Sequence, residues 1–239
     1  MVNIRFPASA ADRDPNCRER YTTDMQGWRK VLITAGWTFV AAAAGFVALG
    51  AWAIAPFSSE SSFSPRTAVW LARAPFAERI VVGDSRVQNA RTPASSMLVG
   101  YGGATFTDLE RMTRTLCSLS DAPITIALGV NDTKPGFADL EATRAAMDRM
   151  ILECGADRMR FAQIWPTDPD VPSAGRDYDL EMIAMLNEYM LDLERDSGVA
   201  VLESPNLAGH TTDGVHFEPE VSKSYIELLD GPFQSPPRQ

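Results

Sequence analysis

The chain has 239 residues, 45% of them hydrophobic and 22% charged, and a formal net charge of −9. This is the composition of a globular chain, long enough for one domain of about 150–200 residues plus extensions. The acidity argues against a nucleic-acid partner, because binding to a phosphate backbone needs clustered Lys and Arg.

Residues 1–30 are polar and mixed in charge, and read as an unstructured tail. No charged residue occurs from Val31 to Ser59, and the apolar part, residues 31–57, exceeds the roughly 20 residues that span a bilayer core. It is also longer than the apolar region of a cleavable signal, roughly 7–15 residues. The expectation is one retained transmembrane helix. Cleavage near Ala53 and Ala55, or a soluble helix buried on all sides, are the competing readings. Arg5, Arg13, Arg18, Arg20, Arg29 and Lys30 precede the span, and only Arg66 and Arg73 follow closely. Basic residues favour the cytoplasmic side, so the rest of the chain is expected outside the cytoplasm, in a periplasm if the source is bacterial. Residues 58–77, beginning in the Ser-rich stretch FSSESSFSPR, read as a linker.

From residue 78 to 232 short apolar runs alternate with amphipathic ones. Strands are expected at Arg79–Val82, Ser96–Val99, Ile124–Leu128, Arg160–Ile164 and Val199–Leu202. Helices are expected at about 106–118, 137–153, 177–196 and 218–230, with residues 233–239 as a tail. Nearly continuous apolar strands alternating with helices predict a three-layer α/β/α domain around a parallel sheet.

Ligands of such sheets sit at the carboxyl ends of the strands. The expected strands are followed there by Gly83-Asp84-Ser85-Arg86, by Gly100-Tyr101-Gly102-Gly103-Ala104-Thr105, by Gly129-Val130-Asn131-Asp132 and by Trp165-Pro166-Thr167. The fifth leads on to HTTDGVHF, residues 210–217. A serine hydroxyl is a poor nucleophile until a base takes its proton. The chain has two histidines, His210 and His216, and Asp213 stands three residues before the second. A carboxylate there fixes the imidazole tautomer and stabilises the imidazolium. Acyl transfer also needs donors aimed at the developing oxyanion. The backbone N–H groups of Ser85 and Gly103 and the side-chain amide of Asn131 are the candidates. His210, Asp213 and His216 could be imagined as metal ligands, but no further His and no nearby Cys supports them.

These four blocks, Gly-Asp-Ser, the glycine block, Gly-x-Asn-Asp and Asp-x-x-His, in this order and each after its strand, resemble the SGNH (GDSL-type) hydrolase family over about residues 78–230. The resemblance implies a flavodoxin-like sheet and esterase chemistry without cofactor or metal. Ser85 would be the nucleophile, His216 the base, Asp213 its orienting partner, and Ser85, Gly103 and Asn131 the oxyanion donors. Gly103 is chosen over Gly100 and Gly102 because Gly-Ala-Thr best matches the family's second block. Arg86 departs from the pattern, which often has an apolar residue there. It is a candidate pocket residue for an anionic substrate group or a partner of nearby acids. Trp165 is either a pocket wall or packing, and Asp84 a turn cap or a substrate contact. The segment from Ser85 to the second strand leaves room for a first crossover helix of one turn or none. In a flavodoxin-like order, Cys117 and Cys154 lie at one level on neighbouring helices and form a candidate disulfide; two separate buried thiols are the alternative. The combined expectation is a membrane-anchored, extracytoplasmic serine esterase acting on short-chain, acetyl-type esters of small molecules or envelope glycans. An acyltransferase using the same residues, or a non-catalytic binding module on this fold, are the alternatives.

Overall fold

A computed structural model of the chain describes residues 34, 36–49, 65–91, 94–168, 171, 178–204 and 210–232. Two compact units are distinguished, Met1–Gly45 and Phe46–Gln239. Residues 36–49 form helix α1, along which Trp37, Phe39, Val40, Phe46 and Val47 are exposed. Among the described residues no helix is long and apolar enough to cross a membrane. Residues 31–33, 35 and 50–57 of the expected span, the tail 1–30, residues 58–64 and the tail 233–239 lie outside the described residues.

The linker expected over 58–77 is corrected in its second half. Pro65–Arg73 is a helix, α2, continued by a 3₁₀ turn at Ala74–Phe76. Thr67, Leu71 and Ala74 recur at i, i+4 and i+7 and are completely buried. Thr67 hydrogen-bonds the Tyr101 hydroxyl, and Trp70 meets the Tyr101 ring edge-on at 5.2 Å. The packed domain therefore begins before residue 78.

The sheet has five parallel strands in the order β2-β1-β3-β4-β5: β1 Ile80–Gly83, β2 Met97–Gly100, β3 Ile124–Ala127, β4 Met159–Ala162 and β5 Ala200–Leu202. Helix α3 is the single turn Ser85–Gln88. The others are α4 Phe106–Leu119, α5 Leu140–Cys154, α6 Leu180–Ser197 and α7 Pro219–Leu229. Each strand sends alternate residues to opposite faces. Ile80, Val82, Ile124, Ile126 and Phe161 pack with α2, α4, α5 and α6. Val81, Ala127 and Ala162 pack with Val87 of α3 and with Tyr225, Ile226 and Leu229 of α7. This is the three-layer α/β/α arrangement expected.

The second layer is thin and is pinned by polar bonds. Arg160, buried in β4, donates to Thr125 Oγ1 and to the carbonyls of Leu229, the last residue of α7, and of Gly231 and Pro232 beyond it. On the other face Cys117 of α4 and Cys154 of α5 are joined by a disulfide, with Cα atoms 5.4 Å apart. In the register, Gly83 lies opposite both Gly100 and Ala127, so β1, β2 and β3 end level and their following loops leave from one edge.

Candidate active site

At that edge β1 turns into α3 within one residue. A Cβ on Gly83 would lie 2.3 Å from Val87 Cγ2 and 2.9 Å from the Ala127 carbonyl, so glycine is what lets the turn close this tightly. The Asp84 carboxylate accepts the Arg86 N–H at 2.8 Å and caps α3. Asp84 is buried and serves as that cap. Ser85, the first residue of α3, is half-buried.

The 210–217 segment is a loop closed on itself by an antiparallel bridge between Thr211 and Phe217. Within it Asp213 Oδ1 accepts the backbone N–H groups of Val215 (3.0 Å) and His216 (2.7 Å). Asp213 Oδ2 lies 2.7 Å from His216 Nδ1, and His216 Nε2 lies 2.9 Å from Ser85 Oγ. With the proton on Nδ1, the ring donates to the carboxylate and Nε2 accepts the serine hydroxyl, a tautomer assigned from this network. Partial burial would raise the Asp213 carboxyl. The hydrogen bonds from the His216 ring and from the two backbone N–H groups outweigh it and hold the group down at about 2. It is therefore ionised at neutral pH. His210 takes no part in this array: its Nε2 bonds the Pro166 carbonyl at 3.0 Å and its ring lies against Phe217.

The loops after β2 and β3 are stitched together beside the serine. Asn131 donates one amide hydrogen to the Ala104 carbonyl at 3.0 Å. The Asp132 carboxylate accepts the Phe106 N–H at 3.1 Å and the Thr143 hydroxyl at 3.0 Å. Thr105 starts α4 with a capping box, accepting from Asp108 N–H while Asp108 Oδ2 accepts from Thr105 N–H. Asn131 therefore holds the Gly103 loop by one N–H and keeps a second. Among the three glycines, Gly100 and Gly102 abut Gln88, while Gly103, with φ +76, faces open space. Its N–H and that of Ser85 have no hydrogen-bond partner among the described residues. Burial pushes the Asp132 carboxyl up to about 7 against the opposing bonds from Phe106 and Thr143.

Arg86 and Trp165, the candidate pocket residues, are both buried, at 4% and 3% exposure. Arg86 Nε donates to the Val215 carbonyl at 3.0 Å and an Nη to the Trp165 carbonyl at 2.7 Å, and the guanidinium lies 4.3 Å from the centre of the Phe217 ring. Among the described residues it forms no direct ion pair; Asp84 is its nearby counter-charge. Trp165 packs against Phe217 and Tyr225. Sequence reasoning also missed Asn187 of α6, whose amide accepts the Ile164 N–H and donates to the Ile164 carbonyl, fixing the loop after β4. No sequence signal distinguishes that asparagine from the other polar residues of an amphipathic helix.

No family model matches the sequence, and no curated protein is similar to it. Solved structures share the fold. A GDSL-like lipase from Bacteroides thetaiotaomicron is 18% identical with a TM-score of 0.54, the match covering 68% of this chain and 92% of that one. An aryl esterase from M. smegmatis is 16% identical with a TM-score of 0.51, covering 64% of this chain and 97% of that one.

Proposed function

We propose that this chain, which has the fold of the SGNH (GDSL-type) hydrolases, is an esterase that works through a Ser85–His216–Asp213 triad. The observation that carries the reading is the unbroken chain of hydrogen bonds from Ser85 Oγ to His216 Nε2 (2.9 Å) and from Nδ1 to Asp213 Oδ2 (2.7 Å). Ser85 Oγ attacks the ester carbonyl as His216 takes its proton. The ionised Asp213 stabilises the imidazolium. The developing oxyanion takes hydrogen bonds from the N–H groups of Ser85 and Gly103 and from the free amide hydrogen of Asn131. The imidazolium then protonates the leaving alcohol, and water activated by the same ring releases the acid from the acyl-enzyme.

The substrates we favour are short-chain, acetyl-type esters on envelope or exported glycans, acted on by a domain held outside the cytoplasm. An uncharged stretch from Val31 to Ser59, the basic residues before it and the apolar exposed side chains of α1 support an anchor. The disulfide supports an oxidising compartment. Protease added to intact spheroplasts should digest the domain and spare an N-terminal tag; a protected domain would refute that placement. The chemistry is tested with the full chain in detergent, comparing 4-nitrophenyl acetate hydrolysis with that of Ser85→Ala. Loss of turnover by several orders of magnitude in the variant is expected. Equal rates in both would sink the esterase reading.

A further inference from the structure

We infer that Arg86 is a positioning residue that clamps the base to the nucleophile: its guanidinium holds the residues on both sides of His216, the Val215 carbonyl and the Phe217 ring. The inference rests on the triad reading above. Arg86 follows Ser85 directly, and its own N–H is fixed by the Asp84 carboxylate at 2.8 Å. Its side chain then crosses to a segment 129 residues away, where Nε reaches Val215 at 3.0 Å and the guanidinium covers Phe217 at 4.3 Å. The Trp165 carbonyl, at 2.7 Å, sets the plane of the fork from a third loop. The Ser85–His216 hydrogen bond is thus bracketed by contacts from the neighbour of one partner to both neighbours of the other. A second tie, from Asp168 N–H to the Gly214 carbonyl at 2.8 Å, joins the same loop to the residues after β4 and not to the nucleophile turn.

Stability gives little reason for this arrangement. A buried guanidinium loses its hydration, and an apolar side chain of similar volume stabilises a core as well or better. Position gives a reason, because the planar fork serves two carbonyls and a ring face in fixed directions. Displacing a catalytic group by about 1 Å costs roughly 10²-fold in rate.

The test is Arg86→Met in the full chain, with Phe217→Leu as the second variant, which keeps every one of these hydrogen bonds and removes only the ring. The chain has two histidines, so ¹⁵N-imidazole spectra contain two rings, and Ser85→Ala marks the His216 signal of a ring without its serine. In Arg86→Met, or in Phe217→Leu if the first does not fold, the His216 Nε2 signal should move towards the Ser85→Ala position. For 4-nitrophenyl acetate kcat should fall roughly 10- to 100-fold with KM within about twofold, and guanidinium ion should restore part of the loss in Arg86→Ala. An unmoved Nε2 signal in a folded variant, or kcat unchanged, would overturn the clamp while leaving the triad standing. Failure of the triad reading shows separately, as wild-type turnover equal to that of Ser85→Ala, and the spectra still report whether Arg86 sets the ring.

Discussion

Replacing Asp213 by Asn tests the array at the partner of its imidazole. Asp213 Oδ1 accepts two backbone N–H groups and Oδ2 faces His216 Nδ1. The amide of Asn keeps its oxygen on the two backbone donors, so the loop retains its shape. Its NH2 group then stands 2.7 Å from Nδ1, in the place of Oδ2. Two donors cannot face each other, so the ring adopts the other tautomer, with the proton on Nε2. In that form Nε2 points a hydrogen at Ser85 Oγ and has no lone pair to accept its proton. The magnitude divides into two parts. The carboxyl sits at about 2 against an ordinary 3.8, a bonding preference of about 2.5 kcal/mol at about 1.36 kcal/mol per unit. Part of that preference comes from the two backbone bonds that Asn keeps, and the side chain is 47% exposed, so solvent screening leaves less than about 1 kcal/mol, under roughly one decade of rate, for the lost charge. The wrong tautomer supplies the rest, for a total fall of roughly 10³- to 10⁴-fold in kcat. Initial rates with 4-nitrophenyl acetate read the loss, and thermal unfolding checks that the fold is kept. A folded Asp213→Asn enzyme within tenfold of wild type would refute the assignment of Asp213 as the partner of the base.

Two further outcomes follow from groups outside the triad. The disulfide closes a segment of 37 residues, for which chain entropy gives at most about 4 kcal/mol; Cys117→Ser/Cys154→Ser should unfold in urea with about 2–4 kcal/mol less stability, and a loss below about 1 kcal/mol would refute that origin. Asp132 titrates at about 7 when folded, against an ordinary 3.8 for a solvated aspartate in the unfolded chain. Between these values the folded state holds the extra proton, so stability falls as pH rises from about 4 to 7, by at most about 4 kcal/mol, and the loss is complete above 7. Asp132→Asn should flatten that slope in urea unfolding at a series of pH values; an unchanged slope would remove Asp132 as its source.

The strands and the hydrogen-bonded array of Ser85, His216 and Asp213 were legible because their signals are local or recur in order. Ile80-Val81-Val82 and Ile124-Thr125-Ile126 are short runs covered on both faces, and each strand boundary came within two residues of the structure. Asp213 and His216 are three residues apart, so their pairing could be read without a fold. Helix α2 was not legible: Pro65 and the serines before it look like a linker, and a nine-residue helix shows its apolar stripe through Thr67, Leu71 and Ala74, none strongly diagnostic. Arg86 was misread because its acceptors are backbone carbonyls 79 and 129 residues away, which no side-chain pattern announces. Gly103 was singled out among three glycines by the Gly-Ala-Thr match alone; what no sequence pattern announces is Gln88, which lies against Gly100 and Gly102 and leaves Gly103 open.

The bridged loop from Thr211 to Phe217 divides the triad into two mechanical regimes. The carboxylate and the imidazole belong to one self-closed cassette, three residues apart and bonded to each other within it. The serine belongs to a turn 131 residues earlier in the chain, and its own side chain meets the cassette through one 2.9 Å hydrogen bond, beside the Arg86 contacts to Val215 and Phe217. Sequence drift in the helices and strands can therefore leave the acid–base couple untouched while detuning the one bond through which it acts. A scan of random core substitutions should produce variants that keep a fully formed Asp–His pair and lose the serine first.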